Sequence, residues 1–255
     1  MPVRNGMPHL VTALRSLQQQ TFSNYELIVI NDDSSDTSLS FLRSVKDKRI
    51  KIISHTKSQG VTIALNKGLK IARGEFIARM DADDISLPKR LAMQLEFFQN
   101  NPQIVLLGTA AYTINSRGIV TGTKQVPVTD EAIKRVILAF NPFIHPTVMI
   151  RKKILNKVGI YDAKLNGAED YDLFLRITRN YQVANLPQLL LQYRLTSKGV
   201  TFKYMKHTER QALLARWKAL SHYRYPWYQS VFLLKPLISL LIPSHFKKWF
   251  LYARS

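Results

Sequence analysis

The 255 residues include no cysteine. That excludes disulfides, thiolate metal sites and a cysteine nucleophile, and it fits a reducing compartment. Acidic residues are scarce as well. Seventeen Asp and Glu stand against 37 Lys and Arg, giving a net charge of +20 and a pI near 10.2. Such an excess points to a polyanionic partner: nucleic acid, an anionic membrane or a phosphorylated ligand. No apolar run reaches the roughly 18 residues that a transmembrane helix needs. Met1–Arg15 has no apolar core of the signal-peptide kind. Neither a Walker loop nor G-x-G-x-x-G is present, so P-loop and Rossmann cofactor chemistry has no support. The six histidines show no metal-ligand spacing. His145, between two prolines in NPFIHPTV, reads either as structural or as a substrate contact.

What is present is organised around Gly74–Arg90, GEFIARMDADDISLPKR. Phe76–Met80 has the pattern of a short buried strand. It runs into Asp81, Asp83 and Asp84, and a helix follows with Leu91, Leu95 and Phe98 on one face. Carboxylates at the C-terminal end of a strand lie where open α/β sheets bind ligands. Asp81 and Asp83, two apart in an extended segment, point to one side and can hold Mg²⁺ or Mn²⁺. The competing reading is an acidic loop or a helix N-terminus.

Along the chain, helices are expected over Pro8–Gln20, Thr37–Val45, Val61–Ala72 and Pro88–Asn100. Strands are expected over Tyr25–Ile30 and Arg49–Ser54. This alternation predicts an α/β fold with a mostly parallel central sheet flanked by helices. Beyond residue 100 the pattern gives strands over Val105–Asn115, Ile119–Pro127, Val183–Asn185 and Leu189–Leu195. Helices fall over Asp130–Ala139, Lys152–Val158 and Tyr171–Asn180. Asp32, after the strand Tyr25–Ile30, can accept a hydrogen bond from a pyrimidine ring N–H or from a ribose hydroxyl. Asp36 reads as a cap of the next helix. Glu169 and Asp170 lie just before a helix, where the reading is either N-terminal capping, by Asp170 or Asp172, or a general base.

The last 58 residues carry eleven Lys and Arg against the single acid Glu209. A composition boundary therefore falls near residue 198, with a basic helical tail over 198–255. Leu213, Leu214, Trp217 and Leu220 share a face of a helix at Thr208–Ser221. Pro226–Arg254 has two short apolar runs, Val231–Leu234 and Leu237–Ile242. Around them stand Trp227, Tyr228, Trp249, Tyr252, Lys247, Lys248 and Arg254. This suits a helix pair lying in the plane of an anionic membrane. A C-terminal helix packed on the domain, or a dimer contact, is the alternative.

Taken together, several stretches form a known combination. They are PVRNG at 2–6, LRSLQQQTFSNYELIVINDDSSD at 14–36, ALNKGLKIARGEFIARMDADDISLPKRL at 64–91, and HPTVMIRK with GAEDYDLFLR within 145–176. The chain resembles the family 2 glycosyltransferases of the GT-A fold, from Met1 to about Arg194. The resemblance implies a domain over 1–197, with a nucleotide-binding half to about residue 100 and an acceptor half beyond it. It implies metal-dependent, inverting transfer of a sugar from a nucleotide-sugar, a UDP-sugar first, to a glycan or lipid-linked glycan in surface polysaccharide synthesis. The protein would work on the cytoplasmic face of the membrane. By resemblance Pro2, Arg4, Asp32 and Asp81 contact the nucleotide-sugar, and Asp81 and Asp83 hold Mn²⁺ or Mg²⁺. Asp170 is the catalytic base, and His145 and Glu169 are candidate acceptor or donor contacts. Arg4, Ser58 and Asp33 depart from the aromatic residue, Asn and Gly usual in the family, which bears on nucleotide preference. Family members also open with an apolar strand that ends at P-V-x-N-G. Its absence here predicts that Met1 is an internal methionine of a longer natural protein. A nucleic-acid-binding protein is suggested by the pI alone, since acidic clusters repel phosphates. A nucleotidyltransferase of similar fold would want a basic Gly-rich loop near the start.

Overall fold

The computed structural model describes residues 1–195 and 205–241. Strands β1 (Pro2–Val3), β2 (Leu27–Asp32) and β3 (Ile50–His55) form a parallel sheet in that order. Parallel neighbours need crossover connections, and two helices supply them, α1 (His9–Gln18) and α2 (Ser38–Ser44), while α3 (Val61–Ile71) leads from β3 to the second sheet. α1 forms where Leu10, Ala13, Leu14 and Leu17 recur on one face, and all four are buried. All six residues of β2 are buried, as its unbroken apolar run requires of an inner strand.

A second sheet holds β4 (Phe76–Ala78), β5 (Ile85–Ser86), β6 (Ile104–Ile114), β7 (Val120–Lys124), β8 (Met149–Arg151) and β9 (Gln182–Arg194). Its order is β4-β8-β6-β9-β5, with β7 paired to β6. Parallel pairing is thus confined to β1–β3 and to β6 with β9, and the other pairs are antiparallel. The hairpin Asn115–Ile119 leaves β7 no other course, because a short turn joins only antiparallel strands. β9 is continuous where the sequence predicts two short strands. Pro187, which has no N–H to donate, sits where the register with β6 shifts between Leu186 and Leu189.

Helices α4 (Arg90–Asn100), α5 (Asp130–Val136), α6 (Lys152–Val158) and α7 (Glu169–Asn180) cover this sheet. The main core gathers Leu106, Ile133, Ile137, Phe143, Phe174 and Ile177. α8 (Met205–Ser221) packs on it through Ala215 and Ala219, which let the helix approach closely. Arg216 Nε donates to the Leu138 carbonyl at 2.8 Å and its guanidinium lies over the Tyr171 ring. Of the four residues expected to share a face, Leu214 and Trp217 are exposed, while Leu220 packs against the core. A 3₁₀ segment, Trp227–Leu233, and α9 (Leu234–Leu241) follow. The composition boundary near 198, and Ile242, Lys247, Lys248, Trp249, Tyr252 and Arg254, lie outside the described residues.

β4 is shorter than expected and is not buried, with Ala78 exposed. One of its edges pairs with β8, while the other faces a cavity of about 830 Å³ between the two sheets. Ile28, Ile30, Leu65 and Phe76 line that cavity. At one end of it the Met1 amino group donates to the Ile28 carbonyl at 2.9 Å. Burial, helped by the Arg79 charge, pushes that amino group down to about 5. β1 pairs with Ile30 and Asn31 of β2.

Candidate active site

Asp32 is the last residue of β2 and is 3% exposed. Its carboxylate accepts from His55 Nδ1 at 2.7 Å, and from Ser58 Oγ, Gln59 N–H and Gly60 N–H at 2.9 Å each. Gly60 reaches this geometry at φ +91°, a conformation glycine takes without strain. Burial raises the carboxyl, but the four donors outweigh it and hold the group at about 2. A carboxylate offers about four acceptor directions, so a nucleobase N–H would have to replace one of these donors. Asp36 accepts from Ser38 N–H, the first of α2, and from Met7 N–H. The Arg4 side chain is exposed beside β1.

The second cluster follows β4. Asp81, Asp83 and Asp84 each place a carboxylate oxygen within 4.8 Å of the others. α4 begins only at Arg90, which removes helix capping as their reason. Asp81 is ion-paired with the buried Arg79. Burial and the charge of Asp81 push Asp83 up to about 6. Asp84 is wholly buried. One of its oxygens accepts from Arg194 N–H at 2.8 Å, and the other has no partner among the described residues. Burial and the charges of Asp81 and Asp83 push its carboxyl well above the usual range. Arg194 Nε also donates to the Asp83 carbonyl at 2.7 Å, which pins the turn to β9. An all-oxygen set of three crowded carboxylates, one with an orphaned oxygen, fits a hard divalent cation such as Mg²⁺ or Mn²⁺.

Glu169 and Asp170 lie inside the first turn of α7 rather than before it. The helix dipole favours acids there, yet the two side chains do different things. Glu169 Oε2 accepts from Gly167 N–H at 2.7 Å and turns back on its own loop. Asp170 Oδ2 accepts from Asn141 Nδ2 at 3.0 Å, and His145 Nδ1 stands 3.9 Å away. His145 Nε2 meets the Tyr161 hydroxyl at 3.0 Å. Burial raises Asp170 above the ordinary carboxylate range against the opposing pull of Tyr171 N–H, Arg79 and Asn141. Burial and Arg79 push His145 well below its ordinary value, so the ring is neutral. Asp172, the other capping candidate, is fully buried and tied to Arg176 and Tyr223.

The charge of Arg79 acts on Asp83, Asp84, His145, Tyr161, Glu169 and Asp170 alike. The acidic turn after β4 and the start of α7 therefore both lie within reach of the Arg79 charge. Sequence reasoning missed Asn141 and Arg79. Asn141 opens the same loop as His145, which was the available signal. Arg79 sits inside an apolar run and reads as a strand residue.

The family model described as "Glycosyl transferase family 2" matches residues 1–159. An uncharacterized glycosyltransferase of Methanocaldococcus jannaschii is 31% identical over 221 residues, covering 85% of this chain and 75% of that protein. The Escherichia coli protein WfgD is named a UDP-Glc:alpha-D-GlcNAc-diphosphoundecaprenol beta-1,3-glucosyltransferase. It is 30% identical over 214 residues, 83% of this chain and 81% of its own. Among solved structures, S. aureus TarS 1–349 in complex with UDP-GlcNAc superposes with a TM-score of 0.73 at 21% identity. That match covers 92% of this chain and 70% of that one, and it shows the fold.

Proposed function

The chain belongs to glycosyl transferase family 2, and from that premise we propose that it moves a sugar from a UDP-sugar to a hydroxyl of a glycan or lipid-linked glycan, with inversion. The observation that carries this reading is a pair of unlike carboxylate groups that both feel the charge of Arg79. One is a crowded oxygen-only triad, and the other is a single half-buried carboxylate oriented by an amide. The names of the relatives support the substrate class: one acts with UDP-Glc on a diphosphoundecaprenol-linked sugar.

In this reading Asp170 removes the proton of the acceptor hydroxyl. Burial raises its proton affinity, which suits a base. The acceptor oxygen attacks the anomeric carbon while the bond from that carbon to the diphosphate oxygen breaks, and its electron pair leaves with the nucleoside diphosphate. One displacement on one face inverts the centre. Asp81 and Asp83, with Asp84 behind them, would hold Mn²⁺ or Mg²⁺, and Asp81 would also contact the ribose. A bound divalent ion supplies counter-charge for the leaving diphosphate. Asp32 reads the pyrimidine once its ring N–H displaces one of the present donors, and Pro2 and Arg4 flank the donor. His145, neutral and close to Asp170, and Glu169 border the acceptor side.

Among the described residues no helix is long and apolar enough to cross a membrane. Trp227, Tyr228, Val231, Leu234 and Ile238 are nonetheless each more than half exposed. With the basic C-terminal sequence, they support a peripheral position on the anionic cytoplasmic face of a membrane. The test of the donor site is thermal stabilisation. UDP with Mn²⁺ should raise Tm, and an oligonucleotide should not. The reverse pattern would favour the nucleic-acid reading.

A further inference from the structure

A second cavity, of about 460 Å³, opens where α6, α7 and α8 end. Lys157, Arg176, Arg179, Asn180, His222 and Arg224 line it with Val158 and Tyr223, and none of these is acidic. It lies at the far end of α7 from Asp170, about 15 Å along the axis at the rise of an α-helix. Not all of its cations are free. Arg176 is ion-paired with Asp172 and donates to the Val158 and Ile160 carbonyls, so it builds the wall. Arg179 gives its Nε to the Tyr223 carbonyl at 3.2 Å and keeps its terminal nitrogens. Lys157, Asn180 and Arg224 have no side-chain partner among the described residues. Lys157, Arg179 and Arg224 therefore present donors to a concavity that no acidic side chain lines.

One backbone feature singles out the same place. Only three non-glycine residues among those described have positive φ, namely Asn5, Asp33 and Arg224. Asn and Asp tolerate that conformation and Arg does not. A strained residue whose side chain borders a cavity is a pointer to function. Beyond Pro226 and the buried Tyr225, three and four residues further along the chain, come Trp227 and Tyr228, 84% and 63% exposed. Aromatic side chains of that kind settle at the boundary between water and lipid.

We propose that this cavity is a binding site for a phosphate-bearing anion, held by Lys157, Arg179 and Arg224 with Asn180. Guanidinium and ammonium groups that line one concavity suit phosphate oxygens. The volume lies within the range of small-ligand pockets and leaves room for a diphosphate. The phosphate can come from a membrane lipid headgroup or from a soluble phosphorylated ligand, and the site chemistry is the same for both.

The test uses inorganic diphosphate and calorimetry on the full chain in EDTA. Without a metal ion the Asp81, Asp83 and Asp84 carboxylates repel the probe, so the catalytic cleft does not compete. The wild type should bind. The double variant Lys157→Gln, Arg224→Gln should bind at least tenfold more weakly with an unchanged melting temperature. Lys157→Glu alone, an exposed change that leaves the fold intact, should weaken binding too. A second arm measures co-sedimentation with phosphatidylcholine vesicles, with and without phosphatidylglycerol. Loss of both diphosphate and phosphatidylglycerol binding in the double variant supports the site and assigns it to lipid. Loss of diphosphate binding alone supports the site and assigns it to a soluble ligand. Equal diphosphate affinity in wild type and variants, or none in the wild type, overturns the proposal. None of these outcomes depends on sugar transfer.

Discussion

Asn141 Nδ2 donates to Asp170 Oδ2 at 3.0 Å while Asn141 Oδ1 accepts from Phe143 N–H at 3.2 Å. The second bond settles which end of the amide faces the carboxylate. Asn141 therefore orients the base and favours its charged form. In Asn141→Ala that support is gone, and the Asp170 pKa rises further. Since the base must be unprotonated to act, the acidic limb of the kcat–pH profile should move to higher pH. Turnover on the plateau should fall about tenfold, the worth of one hydrogen bond to a charged group. An unmoved limb would mean that Asn141 only packs the loop.

Asp32 gives a stability prediction. Asp32→Ala strands the donors of His55, Ser58, Gln59 and Gly60 in a buried place. Chemical denaturation at pH 7 should show a loss of about 2–5 kcal/mol. The pH dependence has a definite sign. The folded carboxyl sits at about 2, below its unfolded value of about 3.9. Its contribution is therefore present above pH 4 and lost as pH falls towards 2. The variant should lack that part of the acid sensitivity, and equal slopes for both proteins would contradict the reading.

Asp83 gives an opposite pair of signs. Asp83 is raised to about 6 by burial and by its neighbour Asp81, so at neutral pH the folded state bears unrelieved repulsion. Asp83→Ala should leave the metal-free melting temperature equal or higher, yet abolish stabilisation by UDP with Mn²⁺. Retained stabilisation by Mn²⁺ would remove Asp83 from the ligand set.

The membrane reading rests on exposed aromatics. Trp227→Ala with Tyr228→Ala should weaken binding to phosphatidylglycerol vesicles by about tenfold or more, from about 1.5–3 kcal/mol per buried large side chain. UDP binding should be unchanged. Equal vesicle binding would place the two rings elsewhere in function.

The legible parts of the sequence were those set by local chemistry. The run ELIVI at 26–30 announced an inner parallel strand, and Lys152–Val158 formed a helix over the expected residues. The acidic turn after β4 was recognisable because three carboxylates follow an apolar run. What failed was decided at long range. β5 is a two-residue strand that exists because β9 offers it an edge. α8 turns Arg216 inward to the carbonyls of Leu138 and Ala139, while Leu214 and Trp217 of the expected face are exposed. Asn141 lies 29 residues from Asp170, and no local pattern joins them. Two short strands were expected at Val183–Asn185 and Leu189–Leu195, yet a register shift keeps β9 continuous through Pro187.

The central claim is that Asp170 is the base of a sugar transfer. The most direct test is the initial rate of UDP release from UDP-sugars, with Mn²⁺ and a diphosphoundecaprenol-linked sugar as acceptor. Wild type and Asp170→Asn should be compared at saturating donor. The account predicts acceptor-dependent release by the wild type. The variant should turn over about 10²–10⁴ times more slowly with nearly unchanged donor affinity. Turnover retained in Asp170→Asn, with donor binding lost instead, would contradict it.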